Sequence, residues 1–230
     1  MIFEDLMKPN KMALLSSAIY TIVGIYIGKI LFNSSLAMIF FSAMPISHYM
    51  YGVMKSKKRI KTRDLIKLYA YSFIGMAIVF GIGSPYMGKL PLGAVGNAYN
   101  PYMEFSSILL NNLKVMFICF SMSLLYGTGA IFILALNAAI AGKLFALLFS
   151  KNIEIAILYF PHTSVEIFAY FLGAISGGML ASAFIGSRKF DNDFGKAVLN
   201  SASVYTIGIA FVMLAAFLES FVLPMMLSRI

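Results

Sequence analysis

His162 and Glu166 stand four residues apart in Phe160-Pro161-His162-Thr163-Ser164-Val165-Glu166, a polar knot between two strongly apolar stretches. On a helix that spacing places both side chains on one face. An imidazole beside a carboxyl can relay a proton, help to hold a metal, or bind a polar headgroup. A structural reading competes. Thr163-Ser164-Val165-Glu166 fits the T-x-x-E capping box, with Thr163 as N-cap and Glu166 folded back onto its backbone N–H. Capping is the preferred role for Glu166, with Pro161 and His162 ahead of the helix that it starts.

Other chemistry finds less support. Zinc takes three or four ligands, commonly His, Cys or carboxylate. The chain has two histidines and one cysteine, and Glu104, Glu154 and Glu219 are scattered. No H-E-x-x-H, C-x-x-C, P-loop or G-x-S-x-G pattern occurs. An enzyme is therefore not expected, and neither is a metal or a cofactor. His48, three residues after Pro45, reads as a buried polar group satisfied by a neighbouring helix. Cys119 lies inside an apolar run and reads as a small packing residue. Asn111, Asn112, Asn137 and Gly142 join Pro161, His162 and Glu166 as a candidate polar cluster. Amides in lipid hydrogen-bond across helices or line a polar path, and both readings stay open.

The elements that must position these groups are membrane helices. The chain is 60% hydrophobic and 12% charged over 230 residues, against about 25% charged in soluble domains. Ile30–Met54, Leu68–Gly88, Val115–Gly142, Ile167–Ser187 and Ala197–Leu218 contain no Asp, Glu, Lys or Arg. Each reaches the roughly 20 residues that a helix needs to cross a bilayer. Met12–Gly28 is shorter and becomes adequate if Lys29 snorkels to the surface. The fold class is all-α: a polytopic membrane protein of six or seven spans, forming a single transmembrane domain over 1–230. The first eight residues lack a basic region leading into a cleavable signal, so the first span is expected to be retained.

The net charge of +9 is not a nucleic-acid footprint. Lys55, Lys57, Lys58, Arg59, Lys61, Arg63 and Lys67 crowd one loop, as the positive-inside rule produces. Loop 55–67 is accordingly placed in the cytoplasm of a cell-membrane protein, where it can also touch anionic lipid.

The expected spans are 12–31 and 36–54, paired as a hairpin through Asn33-Ser34-Ser35, then 67–84, a fourth after Glu104, 167–187 and 197–222. Residues 85–105 form an external loop, and Phe105–Lys114 suits a helix lying partly at the interface. As one helix Val115–Gly142 would be about 42 Å long, so a break near Gly127-Thr128-Gly129 or an exit near Asn137 is expected. Residues 138–160 read as a poor span or as two short re-entrant pieces. Charge parity asks for an odd number of crossings between the external loop and basic loop 187–196, which favours a span there. Small residues allow close helix approach at Gly24 and Gly28, and along Gly173, Ala174, Gly177, Gly178, Ser182 and Gly186. Packing within the chain is the default for these stripes.

Taken in order, Asn111-Asn112, Gly127 and Gly129, Asn137, Gly142, then Pro161-His162-x-x-x-Glu166 before a Gly/Ala-rich helix resemble the stage II sporulation protein M family. Its members show an Asn-Asn pair, an Asn-Gly pair, and Pro-His-Gly shortly before a Glu. Here Ala138 and Thr163 stand where the second and third motifs have glycine. The resemblance covers about residues 105–187. It implies a multi-pass membrane protein; the family's namesake is regarded as a scaffold for partners and not as an enzyme itself. The family's namesake works with partner proteins on the engulfing membrane and cell wall during spore formation. Other members occur where there are neither spores nor peptidoglycan, so that role does not carry over.

The resulting expectation is a non-enzymatic component that organises membrane or partners, forming complexes through its glycine stripes. The alternative is a transporter or channel for a small or lipid-like substrate. The bilayer is the expected partner, with a second copy or other membrane proteins beside it, and no nucleic acid.

Overall fold

The computed structural model describes residues 9–56, 62–88, 104–186 and 192–228. Seven long helices run through them: α1 (Pro9–Phe32), α2 (Ser35–Ser56), α3 (Thr62–Ile82), α4 (Phe105–Tyr126), α5 (Ala130–Lys151), α6 (Ile153–Gly186) and α7 (Asn192–Phe217). A π-helical turn, Leu218–Val222, continues α7 into the short α8 (Leu223–Leu227). Seven stretches among the described residues are long and apolar enough to cross a membrane. Their outward faces are apolar as well. Leu15, Ile19, Ile22, Tyr26 and Ile30 are all exposed on α1, a patch that water would penalise and lipid tails accept. The chain is a multi-pass helical membrane protein.

The helices gather into two compact units, one holding α1, α2, α3 and α5, the other α4 and α6 to α8. In the first, α1 and α2 form the expected hairpin. Asn33 closes α1 at φ 47°, and its N–H meets the Lys29 carbonyl at 3.1 Å. This is the left-handed helix cap that asparagine tolerates better than other non-glycine residues. Gly24 lies against Ser42, and Gly28 against the backbone of Met38. Gly75 of α3 faces Ser17 and the Leu14 carbonyl of α1, and Gly142 of α5 faces Ala77 and Gly81 of α3. Glycine and serine at these crossings let main chains approach closely, which is how helices associate where no water is left to expel.

In the second unit α6 packs on both α4 and α7. A Cβ on Gly173 would lie 2.8 Å from the Met116 Cγ, and Gly177 sits on the Phe120 carbonyl. Ser176 and Ser201 clasp α6 to α7: each hydroxyl donates to the other's backbone carbonyl, at 2.8 and 2.9 Å. Phe168 and Phe211 extend the same interface, with ring centroids 4.8 Å apart.

The uncertain stretches resolve as follows. The break at Gly127-Thr128-Gly129 is present, with α4 ending at Tyr126 and α5 starting at Ala130. Gly127 at φ 66°, ψ −64° centres a γ-turn in which the Thr128 N–H meets the Tyr126 carbonyl at 2.6 Å. That conformation is strained for any residue with a side chain. Residues 138–160 are neither one poor span nor two re-entrant pieces. They are the end of α5 and the start of α6, separated by Asn152 alone. Phe105–Lys114 forms the opening turns of the continuous α4. The knot lies inside α6, with Pro161 two turns past its first residue, Ile153. Of the basic loop 55–67, residues 57–61 lie outside the described residues, as do 89–103 of the external loop and 187–191.

Candidate functional site

The capping box at Thr163 does not form. Thr163 is mid-helix, and its hydroxyl donates back to the Tyr159 carbonyl at 2.8 Å, as Ser164 does to Phe160 at 2.7 Å. Both hydroxyls serve backbone around Pro161, which has no N–H to return to the carbonyl one turn earlier. The actual N-cap of α6 is Asn152, whose Oδ1 accepts the Glu154 N–H at 2.8 Å. Glu166 is thereby released from the capping role and takes up another.

Its partner is Tyr170, one turn along the same face, whose hydroxyl donates to Glu166 Oε1. The same hydroxyl lies 3.2 Å from Asn112 Oδ1 on α4. Tyr170 and Asn112 are both buried, at 1% and 3% exposure. The carboxyl, phenol and carboxamide thus form one continuous polar chain across the α4–α6 interface. Asn111 is exposed, and its Nδ2 reaches Asn112 Oδ1 at 3.4 Å. Asn112 Nδ2 has no partner among the described residues. Buried polar groups are nearly always satisfied, so this orphan amide calls for an explanation. A second carboxyl, Glu219, acts electrostatically on both Glu166 and Tyr170. It sits in the π-helical turn, where the Leu223 N–H bonds the Leu218 carbonyl, just ahead of Pro224. Single π-turns of this kind frequently mark functional sites.

The remaining candidates do not join this chain. His162 is buried, with its Nε2 3.4 Å from the Thr163 hydroxyl and its ring edge-on to Tyr159 at 5.3 Å. Asn137 belongs to the other unit and gives its amide to the Ile133 carbonyl of its own helix at 2.8 Å. Gly142, in that unit too, is a packing residue on α3. His48 is exposed, which corrects its reading as a buried polar group. Cys119 is fully buried, as expected of a packing residue. No three His, Cys, Asp or Glu side chains gather as a metal site among the described residues.

The family model of Stage II sporulation protein M matches residues 17–224. The chain belongs to the stage II sporulation protein M family. The match extends well beyond 105–187 and takes in the α1–α2 hairpin, α3 and α7. No curated protein and no solved structure was found to match.

Family membership gives the two departures from its motifs a structural setting. Ala138, in place of the glycine after Asn137, is fully buried. Thr163, in place of the glycine after His162, uses its hydroxyl on α6 backbone. Sequence reasoning missed Tyr170 and Glu219. The first was accessible, because Tyr170 follows Glu166 by the same four residues that separate Glu166 from His162. The second had only a carboxyl in an apolar run five residues before a proline to point to it.

Proposed function

We propose that this member of the stage II sporulation protein M family is a non-enzymatic membrane component that organises partner proteins or the bilayer. The reading rests on how the small residues are used. Glycines at the α1–α2, α1–α3, α3–α5 and α4–α6 crossings bring main chains together within each unit, leaving helices little freedom to slide. The residues once grouped as a conducting path favour it less, because Asn137 serves its own helix and Asn111 is exposed. One part of the expectation is revised. Gly24, Gly28, Gly173 and Gly177 are occupied by packing inside the chain, so partners meet other surfaces.

The positive-inside rule favours a cytoplasmic side for the basic residues around 55–67.

Purification of the full chain in mild detergent, with its mass measured by light scattering, tests the organising role. A stable assembly with itself or with a reproducible membrane partner is expected; a strict monomer that retains no partner refutes it. A second reading, a transporter, is favoured by one observation: the Glu166–Tyr170–Asn112 chain is ionisable and lies within membrane spans. Proteoliposomes showing no ion or proton flux that depends on Glu166 would eliminate it.

A further inference from the structure

α4 carries a charge where a membrane helix least accommodates one. Lys114 is the tenth of its 22 residues. The stretch from Lys114 to Tyr126 rises about 18 Å. With Tyr126 at one edge of a hydrocarbon core about 30 Å thick, the Lys114 Cα lies about 12 Å inside the other edge. Its four-carbon stem leans toward the helix N-terminus and recovers about 6 Å of that, which leaves the ammonium short of the headgroups. Lys114 is nevertheless exposed, and its side chain forms no ion pair or hydrogen bond among the described residues. Lys143 makes the contrast. It too stands well inside a span, but its ammonium reaches the Gly88 carbonyl at 3.3 Å. An ammonium at membrane depth with no such partner is costly, so the outward face of α4 is incomplete as it stands.

The neighbours of Lys114 indicate what completes it. Ser107 and Asn111 lie seven and three residues back on the same face, where the lysine stem leans, and both are exposed. Asn111 Nδ2 directs one hydrogen at Asn112 Oδ1 and keeps the other. Ile118, Ser121 and Leu125 continue the row, with Ile118 and Leu125 exposed. Residues spaced alternately by four and three form the seam along which a second helix packs. The first half of this seam offers an ammonium, a hydroxyl and an amide; the second half is mostly apolar. A carboxylate matches the first half, since one oxygen meets the ammonium and the remaining lone pairs accept from the hydroxyl and the amide.

The chain has no such carboxylate to spare. α1, α2 and α5 contain no Asp or Glu, and α3 has only Asp64, in its first turn. Glu104, Glu154 and Asp193 stand at helix starts. Glu166 is bonded to Tyr170, and Glu219, in the π-turn, does not pair with Lys114. A second copy would bring the same set. We propose that this face of α4 docks a transmembrane helix of a partner protein, one that carries an aspartate or glutamate at mid-membrane depth. The inference rests on the organising role and adds to it a surface and the chemistry of the partner.

The test places the donor-labelled full chain in phosphatidylcholine vesicles with acceptor-labelled leucine–alanine transmembrane peptides that carry one Glu, Gln or Lys at mid-helix. Energy transfer reads association. The Glu peptide should associate more strongly than the Lys peptide, a comparison on the parent chain that needs no variant. Lys114→Met should weaken Glu-peptide association about three- to twentyfold, the range of polar contacts between membrane helices, and leave the Gln peptide unchanged. Lys114→Glu should reverse the preference toward the Lys peptide. Equal association of the Glu and Lys peptides with the parent chain overturns the proposal, as does an unchanged Glu-peptide affinity in Lys114→Met. Retention of phosphatidylglycerol through detergent washing that Lys114→Met abolishes would assign the face to a lipid headgroup instead, and loss of self-assembly in that variant would assign it to a second copy; either overturns it. A strict monomer that still prefers the Glu peptide counts against the organising role alone, and a stable assembly indifferent to peptide charge counts against this face alone.

Discussion

Gly177→Ala offers a sharp test of the packing argument, because it can be set against Gly195→Ala in the same unit. Both glycines lie inside helices, α6 and α7. A Cβ at Gly195 meets nothing within 4 Å. At Gly177 it would overlap the Phe120 carbonyl and come within 3.1 Å of the Leu124 backbone nitrogen. Replacing glycine by alanine in a helix interior gains up to about 1 kcal/mol from backbone entropy and propensity. That gain is common to both variants, so their difference isolates the clash. The atoms met at Gly177 are main chain and cannot rotate aside; α4 and α6 must separate, and Met116 at Gly173 loses contact with them. Overpacking of this kind costs about 1–3 kcal/mol. Unfolding in mixed detergent micelles, followed by loss of helical signal, should place Gly177→Ala below the parent chain and Gly195→Ala at or above it. Equal stability of the two variants would refute the close α4–α6 crossing. A change in oligomeric state for Gly177→Ala with unaltered chain stability would instead assign the glycine to an interface between chains.

Four further outcomes follow from single positions. Asn33→Gly should leave stability within a few tenths of a kcal/mol, whereas Asn33→Val should cost about 1–2 kcal/mol, since a β-branched residue resists φ 47°; micelle unfolding of the pair checks it. Gly127→Ala should cost about 1–3 kcal/mol by the same measurement, because its γ-turn at φ 66° admits a side chain only with strain. Ser176→Ala and Ser201→Ala should show a coupling of about 0.6 kcal/mol, at most near 1.7, in a double-mutant cycle, since each removes a reciprocal bond; strict additivity would contradict the clasp. Asn152→Ala should destabilise by about 0.5–2 kcal/mol as a lost N-cap, while Thr163→Ala should cost less, an order that reverses if the capping box at Thr163 exists.

Composition and uncharged runs were sufficient to reveal the membrane helices, because the bilayer imposes a length and an apolarity that few sequences meet by accident. The α4–α5 break was legible too, since Val115–Gly142 is too long for one span and glycines supply the turn. What misled was local. Lys143, Lys151, Asn152 and Glu154 make 138–160 look like a failed span, yet they flank the single residue between two long helices. Lys143 itself is accommodated by reaching the Gly88 carbonyl at 3.3 Å, a long side chain carrying its charge outward. Two segments fit an N-terminal cap: Asn152 with Glu154, and Thr163 with Glu166. Nothing in either window alone decides between them. The helix begins at the first and runs 34 residues, carrying Pro161 within it.

That choice of helix start determines the chemistry available. Had α6 begun at Thr163, Glu166 would have been spent on a backbone N–H at its terminus. Because it begins at Ile153, Glu166 lies on the fourth turn, one turn before Tyr170 and across from Asn112. The same carboxyl, at the same sequence spacing, changes from a cap into the end of a buried hydrogen-bonded chain. A glutamate placed there without a role would be a net cost to a membrane helix, and the neighbouring amide without a partner would add to it. The two unfavourable features meet at one α4–α6 crossing, where the Tyr170 hydroxyl joins the Glu166 carboxyl to the Asn112 carboxamide and so offsets part of the cost of each.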